Sequence, residues 1–210
     1  MRKESIKENT GNELLIPKCQ WVDKLEIQGG ETKTLTHPIM EQAFQQVLKQ
    51  HEPKHSVCLV SPCTITRPYG KSRKWSRFVK LFGDTADLVV CSSGGVIPME
   101  FWESYPYQTY NSKNEGVKTK GLYIRTVYRR LTEFFDTFHY DKIVFDFLPS
   151  QLNRAVALKM KQERNENIIV VPTLYRNDRA REENYKPVGK RYPDLSDAIL
   201  SQIIEAVTSE

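Results

Sequence analysis

The sequence predicts an α/β fold: a three-layer α/β/α arrangement around a mainly parallel central sheet of about four strands. Three observations predict it. Four short apolar runs, Val57–Val60, Leu88–Cys91, Lys142–Phe147 and Ile168–Val171, are bounded by turn-forming residues. Runs of that length are what strands covered on both faces require. The segments between them carry helical periodicity, and strands alternating with helices call for parallel pairing. No internal repeat or low-complexity tract interrupts the alternation.

In chain order, residues 1–20 are polar and aperiodic. Trp21–Ile27 (WVDKLEI) alternates as an edge or hairpin strand does, and Gly29-Gly30 ends it. His37-Pro38 reads as a helix start. Ile39, Met40, Ala43, Phe44, Val47 and Leu48 then share one face of a helix over 38–50. His51 and His55 bracket a Pro-containing connection and read as solvated loop residues. Residues 1–54 therefore form an N-terminal extension (strand plus amphipathic helix), and 55–210 the α/β domain.

After the first buried strand, a helix over roughly 71–82 turns Trp75, Phe78, Val79 and Phe82 inward and carries Lys71, Arg73, Lys74, Arg77 and Lys80. Residues 92–119, after the second strand, form a long and mostly irregular connection. Its aromatics Phe101, Trp102, Tyr105, Tyr107 and Tyr110 argue for an ordered, functional loop. Gly121–His139 is a long helix with Ile124, Val127, Tyr128, Leu131, Phe134, Phe135 and Phe138 on its apolar face. A helix over 152–164 separates the third and fourth strands, and Pro172 ends the fourth. Residues 175–191, with Arg176, Arg179, Arg181, Lys186, Lys190 and Arg191, read as a basic, aromatic surface arm. Asp194 or Ser196 starts the last helix, with Leu195, Ile199, Ile203, Ile204 and Val207 inward.

Composition bounds the function. A chain of 210 residues builds one full core with an appendage. No run approaches the roughly 18 apolar residues of a membrane span, and the first thirty residues lack the apolar stretch of a secretory signal. A cytoplasmic location is expected. The net charge of +5 and pI near 8.9 suit a polyanionic partner without demanding one. The cysteines (Cys19, Cys58, Cys63, Cys91) contain no C-x-x-C pair and histidines are scattered, so neither zinc nor another metal, nor any cofactor, is expected. Cys58 and Cys91 fall inside strands and read as buried small hydrophobes.

Cys63 is different, because it lies past the first strand, after Pro62, with Arg67 and Tyr69 close in sequence and a basic helix beyond. Guanidinium groups and a helix N-terminus lower a thiol's pKa and favour the nucleophilic thiolate. The same position also suits a half-buried structural cysteine. Ser72 either caps the basic helix or contacts substrate. Ser92-Ser93-Gly94-Gly95, after the second strand, resembles a phosphate- or base-edge-binding turn, though it matches neither the Walker nor the dinucleotide pattern. Glu100 and Glu103, among tyrosines, suit either a base edge or a solvated turn. Asp146 in the third strand is either functional or paired with an arginine. Arg73, Lys74, Arg77, Arg125, Arg129 and Arg130 are either nucleic-acid contacts or a solvated face.

Two blocks of these residues form a wider pattern. Pro62-Cys63, three residues, Arg67-Pro68-Tyr69, two residues, Ser72 resembles the core-domain signature of the archaeosine synthases, Pro-Cys-x3-Lys-Pro-Tyr-x2-Ser-x2-His. Ser92, Ser93, Gly95, Pro98, Glu100, Tyr105, Pro106 and Tyr110 are similar to that family's companion block. The resemblance spans about residues 55–172. It implies a uracil-DNA-glycosylase-like fold and a role in tRNA modification: addition of an amine, lysine, to the nitrile of 7-cyano-7-deazaguanine through a Cys63 thioimidate. It further implies Cys63, Arg67 and Glu100 as catalytic residues and Pro62, Tyr69, Ser72, Ser93, Gly95 and Tyr110 as base-binding ones. Arg73, Lys74, Arg77, Arg125 and Arg129 would contact RNA. Arg67 replaces the motif Lys, Trp75 the motif His, and Asn111 the acid expected after Tyr110. The chain is expected to be a divergent stand-alone member without the PUA-type RNA-binding domain, working with a PUA-bearing or radical-SAM partner. The competing expectation is a non-catalytic nucleic-acid- or base-binding module that assists a modification enzyme.

Overall fold

The computed structural model describes residues 28–108, 110–113, 119–148, 151–164, 167–172 and 197–209. The expected strand over 21–27, the arm over 175–191 and the start of the last helix lie outside these residues. So does Cys19.

The chain is α/β, with a five-stranded, mostly parallel sheet in a three-layer arrangement. Its elements are β1 (Gln28–Gly30), α1 (Glu31–Thr36), α2 (Pro38–Gln50), β2 (Val57–Pro62), α3 (Arg73–Phe82), β3 (Asp87–Ser92), β4 (Gly95–Pro98), β5 (Asn111–Lys113), α4 (Lys120–Thr137), β6 (Lys142–Asp146), α5 (Leu152–Glu163), β7 (Ile168–Val171) and α6 (Asp197–Thr208). The central sheet has the order β4-β3-β2-β6-β7, and β1 pairs separately with β5. β2, β3, β6 and β7 are the expected strands, parallel throughout.

β4 is the strand that sequence reading missed. It pairs antiparallel with β3, from Ser92↔Gly95 to Val89↔Pro98. Four residues opened by Gly and closed by Pro carry too little apolar pattern to announce a strand. Here a two-residue turn folds them back onto β3, and a Pro is tolerated because the strand lies on the sheet's edge.

The chain steps from β2 to β3 through α3, then returns past β2 to β6 through α4. Right-handed crossovers in opposite directions put α3 and α4 on opposite faces. β2 is therefore the point where strand order reverses, and its carboxyl end opens between two diverging connections.

β3 is buried along its whole length, as are Leu59, Val60, Val144 and Phe145 of the neighbouring strands. Met40, Phe44 and Val47 of α2 are fully buried in the same core. Two helix faces depart from expectation: Val79 and Ile204 are exposed. Each lies on the flank of its helix, one position past a residue that does point inward (Phe78, Ile203), and neither is needed to close the core.

His51 is not a solvated loop residue. It is buried, with Nδ1 2.5 Å from Glu100 Oε1 and Nε2 2.8 Å from the Tyr140 hydroxyl. Its ring packs edge-on against Phe138 at 4.7 Å. His55 is half-buried and pairs with Asp87 at 2.8 Å. α4 and the start of β3 close over the two histidines of the Pro-containing connection.

Candidate functional site

The site is built at the carboxyl ends of β2, β3 and β6. The register Pro62↔Cys91 brings the exits of β2 and β3 level, and the Cys63 amide donates to the Cys91 carbonyl at 3.3 Å. Cys63 thus leaves the sheet directly at the switch point. It is exposed, while Cys58 and Cys91 are buried.

Two tyrosines from distant segments close the floor. Tyr69 and Tyr110 are buried, and their hydroxyls lie 2.6 Å apart. The Tyr110 hydroxyl also meets Ser92 Oγ at 2.7 Å. Gly94 permits this approach: a Cβ there would stand 2.7 Å from the Tyr110 ring. Ser92 Oγ also accepts from the Gly94 amide at 3.1 Å, fixing the turn. Gly95, at φ +152°, has the freedom that the next step requires.

Arg67 lies over both rings, its guanidinium 4.6 Å from the centre of Tyr69 and 4.4 Å from that of Tyr110. It also donates to the Thr64 carbonyl. The ring faces that could have stacked on a base are therefore partly taken by a cation. Arg67-Pro68 and Tyr105-Pro106 are cis peptides.

A third group comes from β6 and α3. Asp146, buried at the end of β6, accepts from Ser61 Oγ at 2.6 Å and pairs with Lys74 Nζ at 2.8 Å. The partner of Asp146 is thus a lysine of α3.

These neighbours set the state of the sulfur. Desolvation raises the Cys63 thiol pKa; Arg67, Lys74 and the Tyr110 hydrogen bond oppose it, and Glu31 adds to it. The balance is upward. Cys63 is exposed as a residue, yet its sulfur is crowded from the protein side, and the cations do not outweigh that crowding. The expectation of a resting thiolate is corrected accordingly: the free protein holds a thiol.

Other expected residues fall elsewhere. Glu100 is carried by β4, which runs antiparallel to β3, to the opposite end of the sheet, where the parallel strands begin. There it meets His51, beside the Tyr140–Asp87 bond of 3.1 Å. Ser72 is the N-cap of α3, accepting from the Trp75 amide at 3.2 Å. Ser93 is buried, and its carbonyl accepts from Arg130. Pro62 is half-buried at the end of β2. Arg73 and Arg77 are exposed on α3, and Arg125 on α4. Arg129 is held by Glu41 at 2.6 Å and Glu133 at 2.8 Å, and Arg130 is buried against Glu41.

Sequence reading missed Glu31, in the first turn of α1. Its carboxylate accepts from Thr119 Oγ1 at 2.6 Å, and its charge acts on Cys63. Nothing local marks it; only the β1–β5 pairing, next to Tyr110, brings it near. Among the described residues, no three His, Cys, Asp or Glu side chains come together to hold a metal ion. No helix among them is long and apolar enough to cross a membrane.

The family model described as "Domain of unknown function (DUF5591)" matches residues 41–186, which include every strand of the central sheet and the whole Cys63 cluster. The chain belongs to the DUF5591 family. Glu31 lies just before the matched DUF5591 region. No curated protein matches the chain. A solved structure, the crystal structure of AF0587, a protein of unknown function, is similar at 19% sequence identity and a TM-score of 0.48. The similarity covers 78% of this DUF5591 chain and 56% of that one, so the chain spans little more than half the length of AF0587.

Proposed function

We propose that this protein is an RNA-modifying enzyme, or the catalytic subunit of one, related to the archaeosine synthases. In this reading it adds an amine to the nitrile of 7-cyano-7-deazaguanine in tRNA. The observation that carries the reading is an exposed Cys63 at the switch point, under the influence of Tyr110, Arg67 and Lys74. The motif residues resembling that family support the assignment of substrate. The reading carries with it a cytoplasmic location, a tRNA partner and a PUA-bearing or radical-SAM partner protein.

The chemistry suits a protonated resting thiol. Sulfur attacks the nitrile carbon, the S–C bond forms, and C≡N becomes C=N. The thiol proton passes to the nitrogen, with the Tyr110 hydroxyl as conduit, to give a neutral thioimidate. The amine nitrogen then attacks the same carbon, the C–S bond breaks, and a proton from the amine returns to sulfur. Glu100 has no part in these steps, since it lies at the far end of the sheet, where the parallel strands begin.

Intact-mass measurement tests the reading. Protein incubated with 7-cyano-7-deazaguanine, free or in tRNA, should gain the mass of one adduct on Cys63, discharged by lysine. Cys63→Ala should gain none. Full product formation by Cys63→Ala would overturn the mechanism.

One observation favours a second reading, a non-catalytic base- or RNA-binding module. Trp75, which stands where the family pattern has a histidine, is fully buried, with ring centroids 5.5 Å from Phe78 and 4.8 Å from Trp102. That position holds no proton-transfer group. Salt-sensitive RNA binding without any mass shift at Cys63 would select this reading.

A further inference from the structure

Lys74 reads from sequence as one more cation on a basic helix. In the fold its ammonium turns to Asp146, and its side chain is only 22% exposed. Asp146 is held in turn by Ser61, two residues before Cys63 on β2. A buried carboxylate with two partners is oriented strictly, because an anion in that setting requires its hydrogen bonds. The Lys74 Nζ also lies over the rings of Trp75 and Phe78, 5.9 and 5.3 Å from their centres, which further restrains the ammonium.

We propose that the Ser61–Asp146 pair serves to hold the Lys74 ammonium beside Cys63, making Lys74 a positioning residue for the sulfur. The inference deepens the reading of Cys63 as nucleophile and rests on it. The thiol must release its proton for the sulfur to attack carbon, and a fixed cation nearby favours that release by stabilising the thiolate, with no reorganisation at the moment of reaction. The groups acting on the sulfur are Arg67 on its own loop, Lys74 on α3, Tyr110 before β5 and Glu31 on α1. Cys91 on β3, Tyr69 after β2 and Tyr123 on α4 also couple to it. Lys74 and Arg67 are the two cations of this set, and Lys74 is the one held by a buried acid. An ion pair that merely ties α3 to β6 would leave the sulfur's reactivity unchanged.

The test reads Cys63 directly, with neither RNA nor nitrile, so this inference and the proposed function can fail separately. Native protein is treated with iodoacetamide at several pH values, and Cys63 is quantified by peptide mapping. Lys74→Met should slow alkylation at pH 8 by roughly 3- to 10-fold and move the rate–pH profile upward, since one pKa unit changes the thiolate fraction tenfold. Lys74→Arg, which keeps the charge, should restore the rate to within about 2-fold of the parent. A Lys74→Met rate within about 2-fold of the parent overturns the proposal. Should that variant not fold with Asp146 left unpaired, Lys74→Met/Asp146→Asn removes the buried charge as well. Alkylation of the double variant at least about 2-fold slower supports the proposal, and an unchanged rate overturns it.

Discussion

Cys63 is a nucleophile candidate by position and not by a lowered pKa. Crowding by the protein raises its thiol above the ordinary value of 9.0, against the pull of Arg67, Lys74 and Tyr110. A raised thiol pKa keeps the proton on as pH increases. Alkylation of native Cys63 should therefore keep accelerating past pH 9, with its midpoint above that of a free cysteine. Rate measurement across pH 7–11 checks this, and a midpoint well below 9 would restore the thiolate picture. Cys58 and Cys91 should stay unlabelled in the native protein, because both are buried. Replacing Trp75 by His should not recover the family's proton-transfer group. It should instead destabilise by about 2–4 kcal/mol, as large-to-small core changes do, which equilibrium denaturation measures.

At the scale of elements, the β3–β4 hairpin does the most to shape the site. Its turn places Gly94 under the Tyr110 ring and delivers Glu100 to the other end of the sheet. Gly94→Ala puts a Cβ 2.7 Å from a ring whose hydroxyl is itself held by Tyr69 and Ser92. The ring must move, at about 1–3 kcal/mol in stability. The variant should unfold at lower urea concentration and react differently at Cys63, because Tyr110 no longer sits at its bond. At that other end, His51 links Glu100 to Tyr140, whose hydroxyl donates to Asp87. His51→Ala leaves buried polar groups short of a partner and should destabilise by about 2 kcal/mol with little effect on Cys63. Equilibrium denaturation paired with the alkylation assay separates these two ends of the sheet.

At the scale of the whole molecule, the core buries several thiols and phenols. Desolvation raises the pKa of Cys58, Cys91, Tyr69, Tyr107, Tyr110, Tyr123 and Tyr140. In the unfolded chain the thiols and phenols lose protons near pH 9 and 10, while the folded protein keeps them. The unfolded state then binds fewer protons than the native one, so stability falls as pH rises. The stabilising contribution is complete below about pH 9 and declines above it, by about 1.4 kcal/mol per pH unit for each group so held. The thermal midpoint should drop steeply between pH 9 and 11, and a flat midpoint across that range would contradict it.

The four parallel strands, the helices between them and the placement of Cys63 at a strand exit were legible in the sequence, because apolar periodicity is a local property. Ser72 as a cap and the buried Cys58 and Cys91 were legible for the same reason. Three things were decided only by tertiary structure: the β4 pairing that removes Glu100 from the site, the β1–β5 pairing that brings Glu31 in, and the inward turn of Lys74 to Asp146. Each depends on which distant segments lie side by side. The pKa of Cys63 depends on the same thing, since crowding by folded neighbours, absent from any short stretch of chain, outweighs the cations that sequence places nearby.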